Sequence, residues 1–269
     1  MLKKNISIKW LIVKNGIEKF VIKNFSIFVP SSAGNYKILG YHTIVGINSI
    51  FPLLALVLRT LNINLKVTQV KKFKNNYDAK KLKYLFNKYG SDKSEVHNYH
   101  LIYGSLFKKK NKVKKILEIG LGTNNETVIS NMGSKGIPGA SIRAFRDFFS
   151  NAMIYGADID KNILFNEKRI KTFYADQTNL VDLKKIFKKT KGNYDLIIDD
   201  GLHASYANIS VIIASLKFLK KNGYLIIEDI PHNCKPIWEV VSNILNKKYD
   251  IQLVNTKRSY VFIIKKIYE

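Results

Sequence analysis

Residues 115–122 read Lys-Ile-Leu-Glu-Ile-Gly-Leu-Gly: a short apolar run with one embedded acid, closed by two glycines two positions apart. Such a run ended by turn-forming residues predicts a buried strand, and glycines after it let the backbone approach a ligand closely. The pattern recurs downstream. Residues 153–157, 170–175, 196–198 and 224–227 are apolar runs of strand length, and residues 140–149, 180–189, 206–219 and 236–245 carry helical periodicity. This alternation predicts βαβ units and a parallel sheet covered on both faces. Residues 251–254 and 261–264 predict two further strands joined by a short polar connection, which makes them antiparallel. Upstream, residues 78–89 and 99–107 predict two short helices around the turn Gly90-Ser91-Asp92-Lys93.

With 269 residues the chain has room for one α/β domain and an extension. A 46% apolar content with 15 Phe and 15 Tyr supports a packed core and excludes disordered and fibrous classes. The single cysteine, Cys234, excludes an intramolecular disulfide framework and a cysteine zinc cluster, so the cytoplasm is the expected compartment. The net charge of +25 is uneven: residues 1–115 hold 23 basic against 4 acidic side chains, and the remainder holds 22 against 16. Lysines scattered among Asn and Ile fit a solvated surface better than a phosphate-tracking one, which would interleave arginine and aromatic residues. A nucleic-acid partner is therefore disfavoured, while attraction to anionic lipid stays open.

The first 29 residues alternate apolar clusters with lysines, as a basic amphipathic helix does, and lack the cleavage site of a signal peptide. Residues 38–58 contain no Asp, Glu, Lys or Arg but include His42, Asn48 and Pro52, which is marginal for a membrane span of about 20 apolar residues. The main expectation is a packed helix in an accessory or oligomerisation region covering residues 1–75, with membrane contact as the alternative; residues 76–269 form the catalytic domain. A homo-oligomer is expected, peripheral to the inner face of a membrane if that contact is made.

Ligands of open α/β sheets bind beyond the carboxyl ends of the strands, and polar residues collect there. The first strand ends in Glu118, Gly120 and Gly122; a dinucleotide turn would want a third glycine where Asn125 stands, and the next helix begins only after Gly139. The second ends in Asp158, placed to hold a ribose diol, and the third in Asp176-Gln177, suited to an adenine edge. The fourth reads Asp199-Asp200-Gly201-Leu202-His203 and the fifth Glu228-Asp229. On neighbouring strands ~4.8 Å apart, Asp200, Glu228 and Asp229 would converge, and their mutual repulsion calls for a hard divalent cation such as Mg²⁺. His203 would then accept a proton from a substrate hydroxyl.

These pieces resemble a known family. Tyr89-Gly90-Ser91-Asp92-Lys93 with His97 and Tyr99, Leu117-Glu118-Ile119-Gly120, Gly139-Ala140-Ser141-Ile142-Arg143, Tyr155-Gly156-Ala157-Asp158-Ile159, Asp199-Asp200-Gly201-Leu202-His203 and Ile227-Glu228-Asp229 are similar to the metal-dependent sugar O-methyltransferases of macrolide tailoring and surface-polysaccharide clusters. The resemblance covers about residues 88–230. It implies an α/β, Rossmann-like class I methyltransferase sheet with a C-terminal antiparallel hairpin behind a basic N-terminal extension. It further implies S-adenosyl-L-methionine as methyl donor, held by Glu118, Gly120, Gly122, Asp158, Asp176, Gln177 and Asp199, with Tyr99 and Ser141 also lining the site. Asp200, Glu228 and Asp229 would bind Mg²⁺ or another divalent cation, and His203 would be the general base acting on a sugar-containing acceptor. The rivals are a nucleic-acid methyltransferase, which the charge encourages, and a membrane-associated binding protein on a degenerate methyltransferase domain.

Overall fold

The computed structural model describes residues 8–31, 35–107, 109–245 and 248–268, with side chains from Gly16 onward. By its contacts the chain divides into two units, Met1–Asn64 and Leu65–Glu269.

In the first unit, α1 (Ile8–Asn24) is interrupted at Gly16, where φ is 75°, and α2 (Tyr36–Thr60) begins at Asn35, whose side chain accepts from the Ile38 amide. The two helices touch at Gly40: a Cβ there would stand 2.7 Å from Glu18 Cβ, so only glycine allows this approach. In place of the one amphipathic helix expected over the first 29 residues, residues 8–24 form helical stretches broken at Gly16, and residues 1–7 lie outside the described residues. Residues 38–58 are helical as expected, but α2 is not packed as a core helix: its apolar window is 11% buried.

In the second unit, nine strands form one sheet. They are β1 (Val67–Gln69), β2 (Lys115–Ile119), β3 (Met153–Asp158), β4 (Asn166–Glu167), β5 (Ile170–Tyr174), β6 (Tyr194–Asp199), β7 (Leu219–Ile230), β8 (Tyr249–Asn255) and β9 (Tyr260–Lys266), in the spatial order β1-β8-β9-β7-β6-β2-β3-β5-β4. The five strands read from sequence as parallel are parallel, and β9 pairs antiparallel with both β7 and β8. Between them run α3 (Tyr77–Tyr89), α4 (Tyr99–Leu106), α5 (Ala140–Phe148), α6 (Leu180–Lys189), α7 (Ser205–Ser215) and α8 (Lys235–Leu245).

Alternate side chains of each central strand enter opposite cores. Ile116, Ile198 and Ile226 pack with Leu82, Phe86, Tyr103 and Phe145 of α3, α4 and α5. Leu117, Ile197 and Leu225 pack with Leu183, Phe187, Val211 and Trp238 of α6, α7 and α8. Burial on both faces explains why these strands read as continuous apolar runs.

Three details differ from the sequence reading. β1 pairs in parallel with β8, which joins residues 65–75 to the sheet, so the division falls at Asn64 and not at residue 75. β4, two residues long, adds an antiparallel edge beside β5. Residues 206–219 are not one helix: α7 stops at Ser215, a 3-10 turn follows, and β7 already starts at Leu219. The polar segment Lys220-Lys221-Asn222-Gly223 hides that strand extension, which is fixed by pairing of Leu219 with Tyr194.

Candidate functional site

The chain leaves β2 toward β3 on one side and later returns to place β6 on the other, so a crevice opens at the carboxyl ends of β2 and β6. Gly120 closes β2 with φ 92°, and a Cβ there would lie 2.0 Å from the Asp200 carbonyl oxygen. The Gly120 amide donates to Ala157 O and the Asp200 amide to Ile119 O, both at 2.8 Å, which fixes three strand ends together.

Two cavities share this crevice, and both are bordered by Gly120, Gly122, Ser130 and Asp200. The one of about 440 Å³ is lined by Asp158, Asp176, Gln177 and Tyr206 among others. That of about 520 Å³ is lined by Lys93, His97, Tyr99, Ser141, His203 and Asp229. The structure therefore separates the expected nucleoside-facing residues from the expected metal and base residues and joins them through the β2 glycines.

On the nucleoside side, the polar groups also build their own walls. Asp158 accepts from the Leu121 amide at 2.7 Å and the Asp160 amide at 2.9 Å, holding the glycine loop to the end of β3. Burial pushes its carboxyl upward in pKa. Asp176 accepts from the amide and hydroxyl of Thr178 and is half-buried. Gln177 donates to Asp199 Oδ1 at 2.6 Å and accepts from the Leu202 amide at 2.8 Å. Asp199 is fully buried, also accepts from Asn208 at 3.0 Å, and borders neither cavity. It supports Gln177 from below, and burial lifts its carboxyl to about 6.

On the other side an ammonium organises the carboxylates. Lys93, 2% exposed, lies 2.6 Å from Asp200 Oδ2, 3.3 Å from Glu118 Oε1, and in contact with Glu228 Oε2. Burial disfavours its charge, but the three carboxylates outweigh that and hold it well above the usual lysine value. Glu228 is fully buried and accepts from Tyr103 at 2.6 Å on its other oxygen. Glu118 accepts from Ser141 at 2.8 Å, while its Oε2 is buried with no hydrogen-bond partner; burial pushes the carboxyl up to about 7.

Asp229 follows Glu228 but faces elsewhere. Its φ is 52°, and the β7–β9 pairing shifts register between Ile227 and Ile230, a bulge that re-aims the side chain. Asp229 Oδ1 accepts from Tyr99 at 2.8 Å and Ser259 at 3.0 Å, and His97 Nδ1 lies 3.1 Å away. Despite burial, His97 holds this carboxyl well below the usual range. His97, set between Asp229 and Asp92, overcomes its own burial and is raised to about 10.

Asp200, His203 and Asp229 each offer a ligand atom within 4.8 Å of the others. His203 has φ 56°, and its buried Nδ1 has no hydrogen-bond partner among the described residues. The two carboxylates form an oxygen donor pair that fits a hard divalent cation, with the His203 imidazole within reach of them. Glu228, expected as the third carboxylate of this set, is instead engaged by Lys93 and Tyr103, so part of the charge compensation expected from a cation is supplied by the chain itself. Lys93 and His97 belong to a motif readable in the sequence, but their roles were not; three acids destined for one buried place are the signal that a nearby lysine would be recruited.

No family model matches the chain. It is 26% identical over 153 residues to 8-demethyl-8-alpha-L-rhamnosyl tetracenomycin-C 2'-O-methyltransferase of Streptomyces olivaceus, covering 56% of this chain and 38% of that protein. It is 29% identical over 149 residues to demethylmacrocin O-methyltransferase of Streptomyces fradiae, covering 55% and 34%. To mycinamicin VI 2''-O-methyltransferase of Micromonospora griseorubida it is 31% identical over 122 residues, covering 45% and 28%. The matched region thus spans between 28% and 38% of these relatives. Among solved structures, MycE methyltransferase from the mycinamycin biosynthetic pathway in complex with Mg and SAH superposes with a TM-score of 0.57 at 24% identity, over 70% of this chain and 55% of that one. Its complex with Mg, SAH and mycinamycin VI gives 0.56 at 22%, over 70% and 54%. The fold is the Rossmann-like class I methyltransferase fold, and the chain resembles sugar O-methyltransferases of antibiotic tailoring.

Proposed function

We propose that this chain transfers a methyl group from S-adenosylmethionine to a hydroxyl of a sugar-containing acceptor, with help from a divalent cation. The observation that carries this reading is the meeting of Asp200, His203 and Asp229 in a cavity that shares Gly120 and Gly122 with a second cavity lined by Asp158, Asp176 and Gln177. The names of the relatives, all sugar-directed or macrolide-directed O-methyltransferases, support it.

The cofactor fits the crevice on two grounds. The β2 glycines leave backbone open where a side chain would clash. Glu118, bonded to Ser141 of the larger cavity's wall but itself lining neither cavity, has a buried Oε2 with no hydrogen-bond partner among the described residues, suited to the cationic amino group of a donor that reaches it. Asp176 and Gln177 border the side where the nucleoside would lie, and Asp158 holds the loop that backs it.

Asp200 and Asp229 would hold the cation, with His203 beside them; Glu228 joins that set only if Lys93 leaves its carboxylate. When bound, a divalent cation would supply Lewis acidity that makes an acceptor hydroxyl more acidic. His203 takes the hydroxyl proton on an imidazole nitrogen. The oxygen then attacks the donor methyl in line: a C–O bond forms, the C–S bond breaks, and the sulfonium becomes a neutral thioether. Tyr99 and Ser259 fix Asp229, and Lys93 fixes Asp200, so rate gain comes from positioning and from charge already arranged around the reacting oxygen.

The test is a panel of glycosides bearing vicinal hydroxyls, incubated with S-adenosylmethionine and Mg²⁺ and read as a mass gain of one methylene. Asp200→Asn and His203→Ala should lose the product while retaining S-adenosylhomocysteine binding. Full activity in Asp200→Asn would refute the role given to that carboxylate.

A further inference from the structure

We infer that α2 inserts into a lipid bilayer and anchors the chain to an anionic membrane. Ile38, Tyr41, Ile44, Leu53, Leu54 and Val57 of this helix are each at least 40% exposed. At about 100° per residue they fall on every side of the helix. A helix that docks on one protein surface carries a single apolar stripe, whereas one apolar all round is either enclosed in a core or surrounded by lipid. Among the described residues nothing encloses it, since the apolar window of α2 is 11% buried. A second copy could cover one side only and would leave the others in water.

Length and charge agree with a bilayer. The 25 residues of α2 reach about 37 Å at 1.5 Å per residue, enough for a hydrocarbon layer of about 30 Å. Residues 38–58 carry no charged side chain, and Lys37 and Arg59 stand immediately outside them. Residues 1–64 hold eight basic side chains against the single acid Glu18, which suits headgroups of negative charge. The polar groups within the helix are few. Thr43 spends its hydroxyl on the Leu39 carbonyl at 2.6 Å, and Pro52 removes one backbone donor, a loss that membrane helices tolerate. His42 is exposed in the first third of α2, and Asn48, exposed at its midpoint, is the one amide side chain that would lie deep in the hydrocarbon.

The experiment is flotation of the full chain with vesicles of phosphatidylcholine alone or mixed with phosphatidylglycerol, followed by washes in high salt and in alkaline carbonate. The expected result is flotation, stronger with phosphatidylglycerol, that survives both washes. Leu53→Asp/Val57→Asp, whose positions are exposed and whose folding is checked by its thermal transition, should reduce partitioning at least about a hundredfold. Protein that stays at the bottom of the gradient, that washes off in salt, that remains a soluble oligomer without vesicles bound, or whose double variant floats like the parent would each overturn the inference. No methyl transfer is read, so the outcome is independent of the proposed activity.

Discussion

Lys93 Nζ lies 2.6 Å from Asp200 Oδ2, tying the turn before α4 to the end of β6 in the centre of the site. Because the same ammonium also faces Glu118 and Glu228, one cation of the chain is shared among three acids contributed by β2, β6 and β7 and offsets part of their charge. Asp229 is thereby left to a different set of partners, Tyr99, His97 and Ser259, and opens toward the cavity with Asp200 and His203.

Lys93→Met removes that ammonium from a buried place and leaves its carboxylates without their partner. Losing one member of a buried ion pair costs about 3–5 kcal/mol. The variant is expected to unfold at clearly lower denaturant concentration than the parent, and to recover more stability than the parent when Mg²⁺ or Mn²⁺ is added. Equal midpoints in urea for the two proteins would contradict the arrangement.

Tyr99→Phe deletes the hydroxyl that donates to Asp229 at 2.8 Å while keeping the buried ring beside His97. Groups that orient a metal-binding carboxylate commonly contribute a factor of about 10–100 in metal affinity. Mn²⁺ binding followed by electron paramagnetic resonance should weaken by that factor, with little change in the affinity for S-adenosylhomocysteine. Unchanged Mn²⁺ affinity would contradict the orienting role, and parallel loss of both affinities would show that the hydroxyl supports the whole crevice and not the carboxylate alone.

Glu118 has its carboxyl raised to about 7 by burial, only partly offset by Lys93, so it gains charge across neutral pH. If its unpaired oxygen receives the donor's amino cation, S-adenosylmethionine should bind more tightly as pH rises from about 5.5 to about 7.5. In Glu118→Gln this dependence should flatten and affinity should fall. Calorimetry at stepped pH measures both, and an unchanged profile in the variant would remove Glu118 from the cofactor site.

Gly120→Ala places a methyl group against the Asp200 carbonyl, at a position where φ is 92°. Strain of this kind costs of order 1–3 kcal/mol from the backbone conformation alone, with the clash added. A lower thermal midpoint and loss of S-adenosylhomocysteine binding are expected; retention of both would mean that the β2 turn is not the floor of the crevice.

Much of the sheet was legible because burial on both faces writes each central strand as an apolar run: Lys115–Ile119 falls where the sequence places it, as does the helix Leu180–Lys189 that covers one face. What escaped depends on pairing with distant chain. β1 is three residues among lysines and exists through its register with Leu253–Asn255. The start of β7 is polar and is fixed by Tyr194. The site shows the same limit. Acids at strand ends announced Asp200, Glu228 and Asp229, but regular alternation would send Glu228 and Asp229 to opposite faces. Spacing along a strand does not reveal the bulge with which both reach residues of α4, Glu228 with Tyr103 and Asp229 with Tyr99. Nor could local pattern show Lys93 reaching, from more than a hundred residues away, the carboxylates that sequence alone left to a metal.

The most direct test of the central claim is calorimetric titration of the purified chain with S-adenosylmethionine, with S-adenosylhomocysteine and NADH as comparisons. The account predicts micromolar binding of both sulfur compounds, weakened by Glu118→Gln, and no heat with NADH. Absence of binding by either sulfur compound, or equal binding of NADH, would contradict the assignment of the β2–β6 crevice as a methyl-donor site.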